Sequence, residues 1–109
     1  MAYDENLAER IRNCLDGVAG IEEKKMFGGL SFLLDGNMAV GVIKDELMVR
    51  VGQDVHDELV ALPGARIMDF TGRPMKGWLV VGGAGIADDG SLAAWVDRGT
   101  DYASNLPKK

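Results

Sequence analysis

The clearest hydrophobic pattern in the sequence is a set of three short apolar segments between Met26 and Val51. Each segment is rich in Val, Leu, Ile, Phe or Met, and the pairs Asp35-Gly36 and Lys44-Asp45 separate them. Segments of this kind, divided by turn residues, are typical of consecutive antiparallel strands. Asp35-Gly36 is the stronger turn signal, because a two-residue type I′ hairpin needs positive φ at both central residues. The stretch therefore predicts a three-stranded meander.

The predicted turn also fixes which side chains share a face of the sheet, since side chains alternate along a strand. One face of the first strand should carry Leu30, Phe32 and Leu34, and one face of the second should carry Met38, Val40 and Val42. Such an apolar face must be covered, and we expect helices to cover it.

Apolar residues at helical spacing predict three helices. The first covers residues 4–18, and a short second helix begins at an Asp54 cap and stops at Pro63-Gly64. The third is capped by Asp88 or Asp89 and has the most regular apolar stripe. The members of that stripe are Leu92, Trp95, Val96, Gly99, Tyr102, Ala103 and Leu106. Glycine costs about 1 kcal/mol of helix propensity relative to alanine, so we expect another part of the chain to pack closely at Gly99.

The remaining pattern completes the predicted fold. A strand candidate follows Ala65, a loop covers residues 71–77, and another strand covers residues 78–81. The predicted order is α-β-β-β-α-β-β-α. Hairpin-connected strands with helices between them indicate a two-layer α+β fold, in which a five-stranded antiparallel sheet carries the helices on one face.

Length, cysteine content and charge narrow the class of protein. A chain of 109 residues has the usual size of one domain, so we expect a single domain over residues 1–109. The one cysteine, Cys14, cannot form an intramolecular disulfide, and neither a leader peptide nor a membrane span is evident. We therefore expect a cytoplasmic protein without membrane contact. Seventeen acidic and twelve basic side chains give a net charge of −5, which argues against general nucleic-acid binding.

Two glycine-rich segments invite comparison with phosphate-binding loops. Gly28-Gly29 lies between apolar strand residues with no helix start behind it, so a β-bulge or tight kink is the better interpretation. Gly83-Ala84-Gly85 lacks the third glycine of a dinucleotide loop, and no second parallel strand follows. We predict no cofactor.

The potential nucleophiles and metal ligands form no recognisable catalytic set. Ser31 lies inside a strand instead of at a nucleophile elbow. Cys14 is expected to be a small buried hydrophobe, and His56, the one histidine, is expected to be exposed. His56, Asp57 and Glu58 are adjacent in sequence and so cannot converge on a metal ion. These observations predict a protein that is not an enzyme and holds no metal.

One loop has the composition of a protein-contact site. Arg73, Met75, Lys76 and Trp78 combine large apolar groups with positive charge, a mixture enriched in contact hot spots. The alternative is structural: Trp78 would face the core and Met75 would plug the sheet edge. The sequence leaves both open.

Two motifs carry a family resemblance. The first is Lys25-Met26-Phe27-Gly28-Gly29-Leu30, and the second runs from Phe70 through Arg73-Pro74-Met75-Lys76-Gly77-Trp78 to Val80. Together, in this order, they resemble the TfoX N-terminal domain family. The resemblance implies a two-layer α+β fold likened to secretion chaperones. The family's namesakes are bacterial regulators of competence for DNA uptake that also carry a second domain, and we expect this chain to be a stand-alone member.

The functional hypothesis follows from these points. We expect a non-enzymatic regulatory or adaptor domain that acts by contact with a protein partner, as a homodimer formed through sheet edges or a shared apolar face. One alternative is a nucleic-acid-associated regulator that would use the basic residues Lys24, Lys25, Arg66, Arg73 and Lys76. The other is a small-ligand-binding domain, which would require a deep pocket with convergent polar groups.

Overall fold

A computed structural model describes residues 3–26, 28–67 and 77–107 of the chain. The helices in these ranges are α1 (Glu5–Cys14), α2 (His56–Leu59) and α3 (Asp89–Ser104). The strands are β1 (Ile21–Met26), β2 (Gly29–Leu34), β3 (Asn37–Ile43), β4 (Glu46–Arg50), β5 (Ala65–Ile67) and β6 (Trp78–Val81). A 3-10 turn (Gly83–Gly85) precedes α3. No helix among the described residues is long and apolar enough to cross a membrane.

The strands form one antiparallel sheet in the order β1-β2-β3-β4-β6-β5. Helices α1 and α3 pack on the face that carries Leu30, Phe32 and Val49, and together they enclose the main core. We call this the inner face of the sheet and the opposite side the outer face. The predicted α+β class with an antiparallel sheet is confirmed.

Over the residues that the structure describes, the sheet has six strands instead of the predicted five, because residues 21–26 form β1. This strand pairs with β2 from Ile21 opposite Leu34 to Met26 opposite Gly29. The pattern missed it because Glu22 to Lys25 are exposed on both faces of an edge strand. Such a strand is held by backbone hydrogen bonds and shows no apolar alternation.

The glycine motifs have structural roles. Asp35 and Gly36 have φ values of 52° and 86°, as the predicted type I′ turn requires. Gly28 (φ 75°) lies in the turn between β1 and β2, so the predicted tight kink is present, but the bulge lies elsewhere. The 3-10 turn at Gly83–Gly85 follows a strand that is antiparallel to both neighbours, so it opens no dinucleotide-binding crossover.

The bulge lies in the β2–β3 pair and changes which side chains face the core. Phe32 is opposite Val40, whereas Leu33 is opposite Met38, so Ala39 is the extra residue. Val40 consequently joins Phe32 in the main core, while Met38 packs on the outer face. The prediction that Met38 shares a face with Val40 was wrong, because one inserted residue reverses the alternation.

The first two helices differ from prediction at their ends. Helix α1 is capped by Asp4, whose side chain accepts hydrogen bonds from the backbone of Asn6 (2.8 Å) and Leu7 (3.1 Å). It ends at Cys14 instead of Val18, which is exposed, because Gly17 adopts a φ of 85° that breaks the helix. The predicted Asp54 cap was also wrong: α2 begins at His56 and has no side-chain cap.

Helix α3 follows its prediction closely. The side chain of Asp88 accepts hydrogen bonds from the backbone N–H and the hydroxyl of Ser91, at 3.0 and 2.8 Å. The buried residues of the helix are Leu92, Trp95, Val96, Gly99 and Ala103. The helix ends at Ser104, before Leu106.

Gly99 is the point of closest approach between α3 and the sheet. A Cβ atom placed there would lie 2.6 Å from the carbonyl oxygen of Ala39 and 2.6 Å from Cγ1 of Val40. Real Cβ contacts are longer, so the helix can lie this close only with a residue that lacks a side chain. The expectation of close packing at Gly99 is confirmed, and the contact falls on the bulged residue of β3.

We predict that Gly99→Ala lowers the free energy of unfolding by about 1–3 kcal/mol, because the added methyl must displace a backbone carbonyl. The loss should appear despite the gain in helix propensity of about 1 kcal/mol. Urea denaturation followed by circular dichroism measures the change. The matched control is Gly90→Ala in the same helix, where a Cβ would meet the exposed carboxylate of Asp88 at 3.2 Å. A Gly99→Ala variant as stable as this control would contradict the account.

Candidate functional site

Three residues from three elements meet at one end of the sheet. Trp78 begins β6 and lies opposite Arg50, the last residue of β4. The guanidinium carbon of Arg50 lies 5.5 Å from the ring centroid of Trp78 and 5.3 Å from that of Tyr102 in α3. Both distances lie within the range of cation–π attraction. We call Arg50, Trp78 and Tyr102 the Arg50 stack.

Backbone contacts fix the position of the stack. Just after Arg50, the N–H groups of Val51 and Gly52 both donate to the carbonyl of Gly77, at 2.8 and 3.1 Å. This joins the end of β4 to the residue that precedes Trp78. Gly52 has a φ of 90°, and a Cβ there would lie 2.5 Å from the Tyr102 ring. The absence of a side chain at Gly52 therefore makes room for Tyr102.

The chemistry of the stack suits contact with another protein. All three side chains are half-buried, so each has exposed surface in a fixed position. Among the described residues, Arg50 forms no ion pair. A stacked guanidinium keeps its in-plane N–H donors available to a carboxylate. Trp, Tyr and Arg are also the residue types most enriched in interface hot spots.

Trp78 lies on the outer face of the sheet. It packs there with Met38, Ile43, Met48 and Val80, away from the helix-covered core. The alternative in which Trp78 faces that core is therefore not observed. Of the other residues in the predicted contact loop, Arg73, Met75 and Lys76 lie outside the described residues.

The described basic residues do not form one patch. Lys24 and Lys25 are neighbours on β1, so their side chains point to opposite faces. Arg66 lies on β5 at the other edge of the sheet and binds both carboxylate oxygens of Glu46, with Nη2 to Oε1 at 2.6 Å. Six strands spaced by about 4.8 Å place these edges about 24 Å apart. A phosphate-binding face gains no support from this arrangement.

Within the described part of the chain, two buried side-chain atoms have no hydrogen-bond partner: Oγ of Ser31 and Nε2 of His56. His56 is 4% exposed, so the expectation of an exposed histidine was wrong. Helix α2 has only one turn, so the spacing of its apolar residues could not show which side chains face the core. Nδ1 of His56 lies 3.4 Å from the carboxylate of its neighbour Asp57.

The described part of the chain brings no catalytic set together. The hydroxyl of Ser31 lies in a β-strand without a base bonded to it. Cys14 is half-buried against the main core, and burial, followed by repulsion from Asp89 and Asp97, raises the pKa of its thiol. A raised pKa keeps the thiol protonated and weakens it as a nucleophile. Among the described residues, no group of three His, Cys, Asp or Glu side chains could hold a metal ion.

Three surface clefts of about 570, 350 and 220 Å³ lie along α3. Arg98 borders all three, and its guanidinium carbon lies 4.6 Å from the ring centroid of Trp95. Exposed carboxylates of Asp97 and Asp101 line the largest cleft. Small-molecule sites are typically enclosed and bury most of the ligand. These clefts are open to solvent, so the ligand-binding alternative gains no support from them.

Sequence reasoning identified one member of the Arg50 stack, Trp78, and missed the other two. Arg50 ends a strand and Tyr102 lies on a helix stripe, so each had an ordinary structural explanation. Their proximity depends on how α3 crosses the sheet, which no local pattern contains.

Comparison with known proteins adds one finding. The family model described as the TfoX N-terminal domain matches residues 13–103, a span that includes every member of the Arg50 stack. The match covers most of the chain and confirms the resemblance seen in the sequence. No curated protein and no solved structure matches the chain.

We predict that the Arg66–Glu46 pair makes stability depend on acid pH. The hydrogen bonds from Arg66 hold the pKa of Glu46 below its ordinary value. The stabilisation is therefore present above the pKa of Glu46 in the unfolded chain and is lost as pH falls through the lower folded value. Because exposed ion pairs contribute little, Glu46→Gln should lower the free energy of unfolding by about 0.5 kcal/mol at pH 7 and by less near pH 2. Glu58→Gln, at an exposed carboxylate of α2, is the control. An equal loss from Glu46→Gln at both pH values would contradict the assignment.

We predict that Ser31→Ala raises the free energy of unfolding by about 1 kcal/mol, because it removes a buried hydroxyl that has no hydrogen-bond partner among the described residues. Ser91→Ala is the matched control and should lower it by about 0.5–1 kcal/mol, since the Ser91 hydroxyl bonds Asp88. Chemical denaturation of the two variants measures both signs. Destabilisation by Ser31→Ala would show that the hydroxyl has a partner in solution.

Proposed function

The chain belongs to the TfoX N-terminal domain family, and from this membership we propose that it is a non-enzymatic regulatory or adaptor domain that acts by protein–protein contact. The observation that carries the proposal is the Arg50 stack. A cation held between two aromatic rings, with exposed surface on all three side chains, has the composition of an interface hot spot.

The proposed contact surface consists of the Arg50 stack and the segment that leads into β6. That segment carries Arg73, Met75 and Lys76 immediately before Trp78 in the sequence. We propose that a carboxylate of the partner bonds to the N–H groups of Arg50 while apolar groups of the partner cover the ring of Trp78. Charge-assisted, planar bonds of this kind give both orientation and affinity.

The class of activity we assign is regulation, as in the competence regulators after which the family is named. We further propose that residues 1–109 act as one domain, in the cytoplasm and as a homodimer. Direct nucleic-acid binding is not part of the proposal, because the described members of the predicted basic set, Lys24, Lys25 and Arg66, lie on opposite faces and opposite edges of the sheet.

Affinity capture from lysate of the source cells tests the contact. The baits are the wild-type domain, Arg50→Met and the control Arg98→Met, which removes another arginine stacked on a tryptophan. We expect one specific protein on the wild-type and Arg98→Met baits. Its affinity for Arg50→Met should fall about thirtyfold or more, the effect of losing a hot-spot residue.

A partner that binds Arg50→Met as tightly as wild type would contradict the proposed contact site. Recovery of nucleic acid that is lost at high salt would favour the nucleic-acid alternative instead. Circular dichroism of each bait checks that it is folded, and a Met75→Ala, Lys76→Ala double variant tests whether the preceding segment contributes.

A further inference from the structure

One edge of the sheet carries a strand that is open to pairing. β1 is the terminal strand, and Glu22, Glu23, Lys24 and Lys25 are all exposed. Its six residues contrast with the three residues of β5 at the opposite edge. A terminal strand presents N–H and C=O groups that can bond to a further strand.

The pairing between β1 and β2 determines which backbone groups point outward. The carbonyl of Gly20 accepts a hydrogen bond from the N–H of Asp35 at 3.0 Å. Hydrogen-bonded and non-hydrogen-bonded pairs alternate in an antiparallel ladder, so the even-numbered residues of β1 bond to β2. The backbone N–H and C=O groups of Ile21, Glu23 and Lys25 therefore point away from the sheet.

We propose that β1 pairs antiparallel with β1 of a second copy of this chain, about a two-fold axis at Glu23. Such an axis is perpendicular to the sheet, so each side chain stays on the same face in both copies. Residues that lie opposite each other share a face, and the residue on the axis must therefore lie opposite its own copy. With Glu23 on the axis, Glu22 of each copy faces Lys24 of the other on the outer face. The outward backbone groups of Ile21 and Lys25 then bond to each other across the interface.

Charge favours this register over the two neighbouring ones, which are centred on Glu22 and on Lys24. With Glu22 or Lys24 on the axis, two like charges that have no ion-pair partner among the described residues would face each other, which destabilises a cross-strand pair. Glu23 can face itself because each carboxylate is already bonded to Arg12 in α1, with Nε to Oε2 at 2.8 Å and Nη2 to Oε1 at 2.9 Å. The third contact of this guanidinium is to the more exposed carboxylate of Glu9, at 3.0 Å. The register centred on Glu23 therefore pairs opposite charges and places like charges together only where each is paired with a guanidinium.

This inference rests on the homodimer of the proposed function and specifies its interface. Sedimentation velocity over a wide concentration range measures the dimer dissociation constant of the wild type, Glu22→Lys, Lys24→Glu and the double swap. Each single change places like charges opposite each other twice, and we expect about tenfold weaker dimers. The double swap should restore the wild-type value. Lys44→Glu, the same charge change in the β3–β4 turn, is the control and should have no effect.

Disulfide trapping tests the register directly in a Cys14→Ala background. In this register Glu22 of one copy and Lys24 of the other form a non-hydrogen-bonded pair, in which the Cβ atoms come closest and best suit a disulfide, whereas the Cα atoms of two Lys24 residues would lie about 8 Å apart. A mixture of Glu22→Cys chains and Lys24→Cys chains should therefore form a covalent dimer of one chain of each kind under mild oxidation, and Lys24→Cys chains alone should not.

Several results would overturn the inference. These are a wild type that stays monomeric, a double swap that fails to restore the dimer, and disulfide trapping of Lys24→Cys chains with one another instead of with Glu22→Cys chains. The outcome is separable from the adaptor proposal, because partner capture depends on Arg50 at the opposite part of the sheet. If the wild type is monomeric and Arg50→Met still loses the partner, the contact site is supported and the edge-paired dimer is ruled out.

Discussion

The arrangement of the molecule depends on the contact between Gly99 of α3 and the bulged residue Ala39 of β3. Helix and sheet approach so closely there that a single methyl group would overlap a backbone carbonyl. The contact sets the height and position of α3 over β3 and β4 and leaves the flanking residues Trp95, Val96 and Ala103 buried. The largest secondary element is thus fixed by the absence of a side chain.

The bulge at Ala39 and the course of α3 also determine the outer face and the Arg50 stack. The bulge at Ala39 turns Met38 to the outer face, where it joins Met48 and Trp78. The course of α3 beyond Gly99 brings Tyr102 over Gly52 and against Arg50. The outer apolar face therefore depends on the bulge, and the Arg50 stack depends on how the helix lies on the sheet.

The sequence predicted features that depend on neighbouring residues. Short stretches of sequence encode the Asp35-Gly36 turn, the Asp88 cap and the apolar stripe of α3. Close packing at Gly99 could also be inferred, because glycine has a low helix propensity. Features that depend on tertiary contact were missed. Strand β1 has no apolar face that a pattern could show. His56 is buried, but its helix is too short for an apolar stripe to predict that burial. The members of the Arg50 stack are joined by the crossing of elements, which no local spacing records.

The central claim is that the Arg50 stack contacts a protein partner, and nuclear magnetic resonance of the two indole N–H groups tests it most directly. The chain has two tryptophans, Trp78 in the stack and Trp95 in the core beneath α3. Titration with the captured partner should shift or broaden the Trp78 indole signal and leave that of Trp95 unchanged. A complex that forms without any change at Trp78 would contradict the claim.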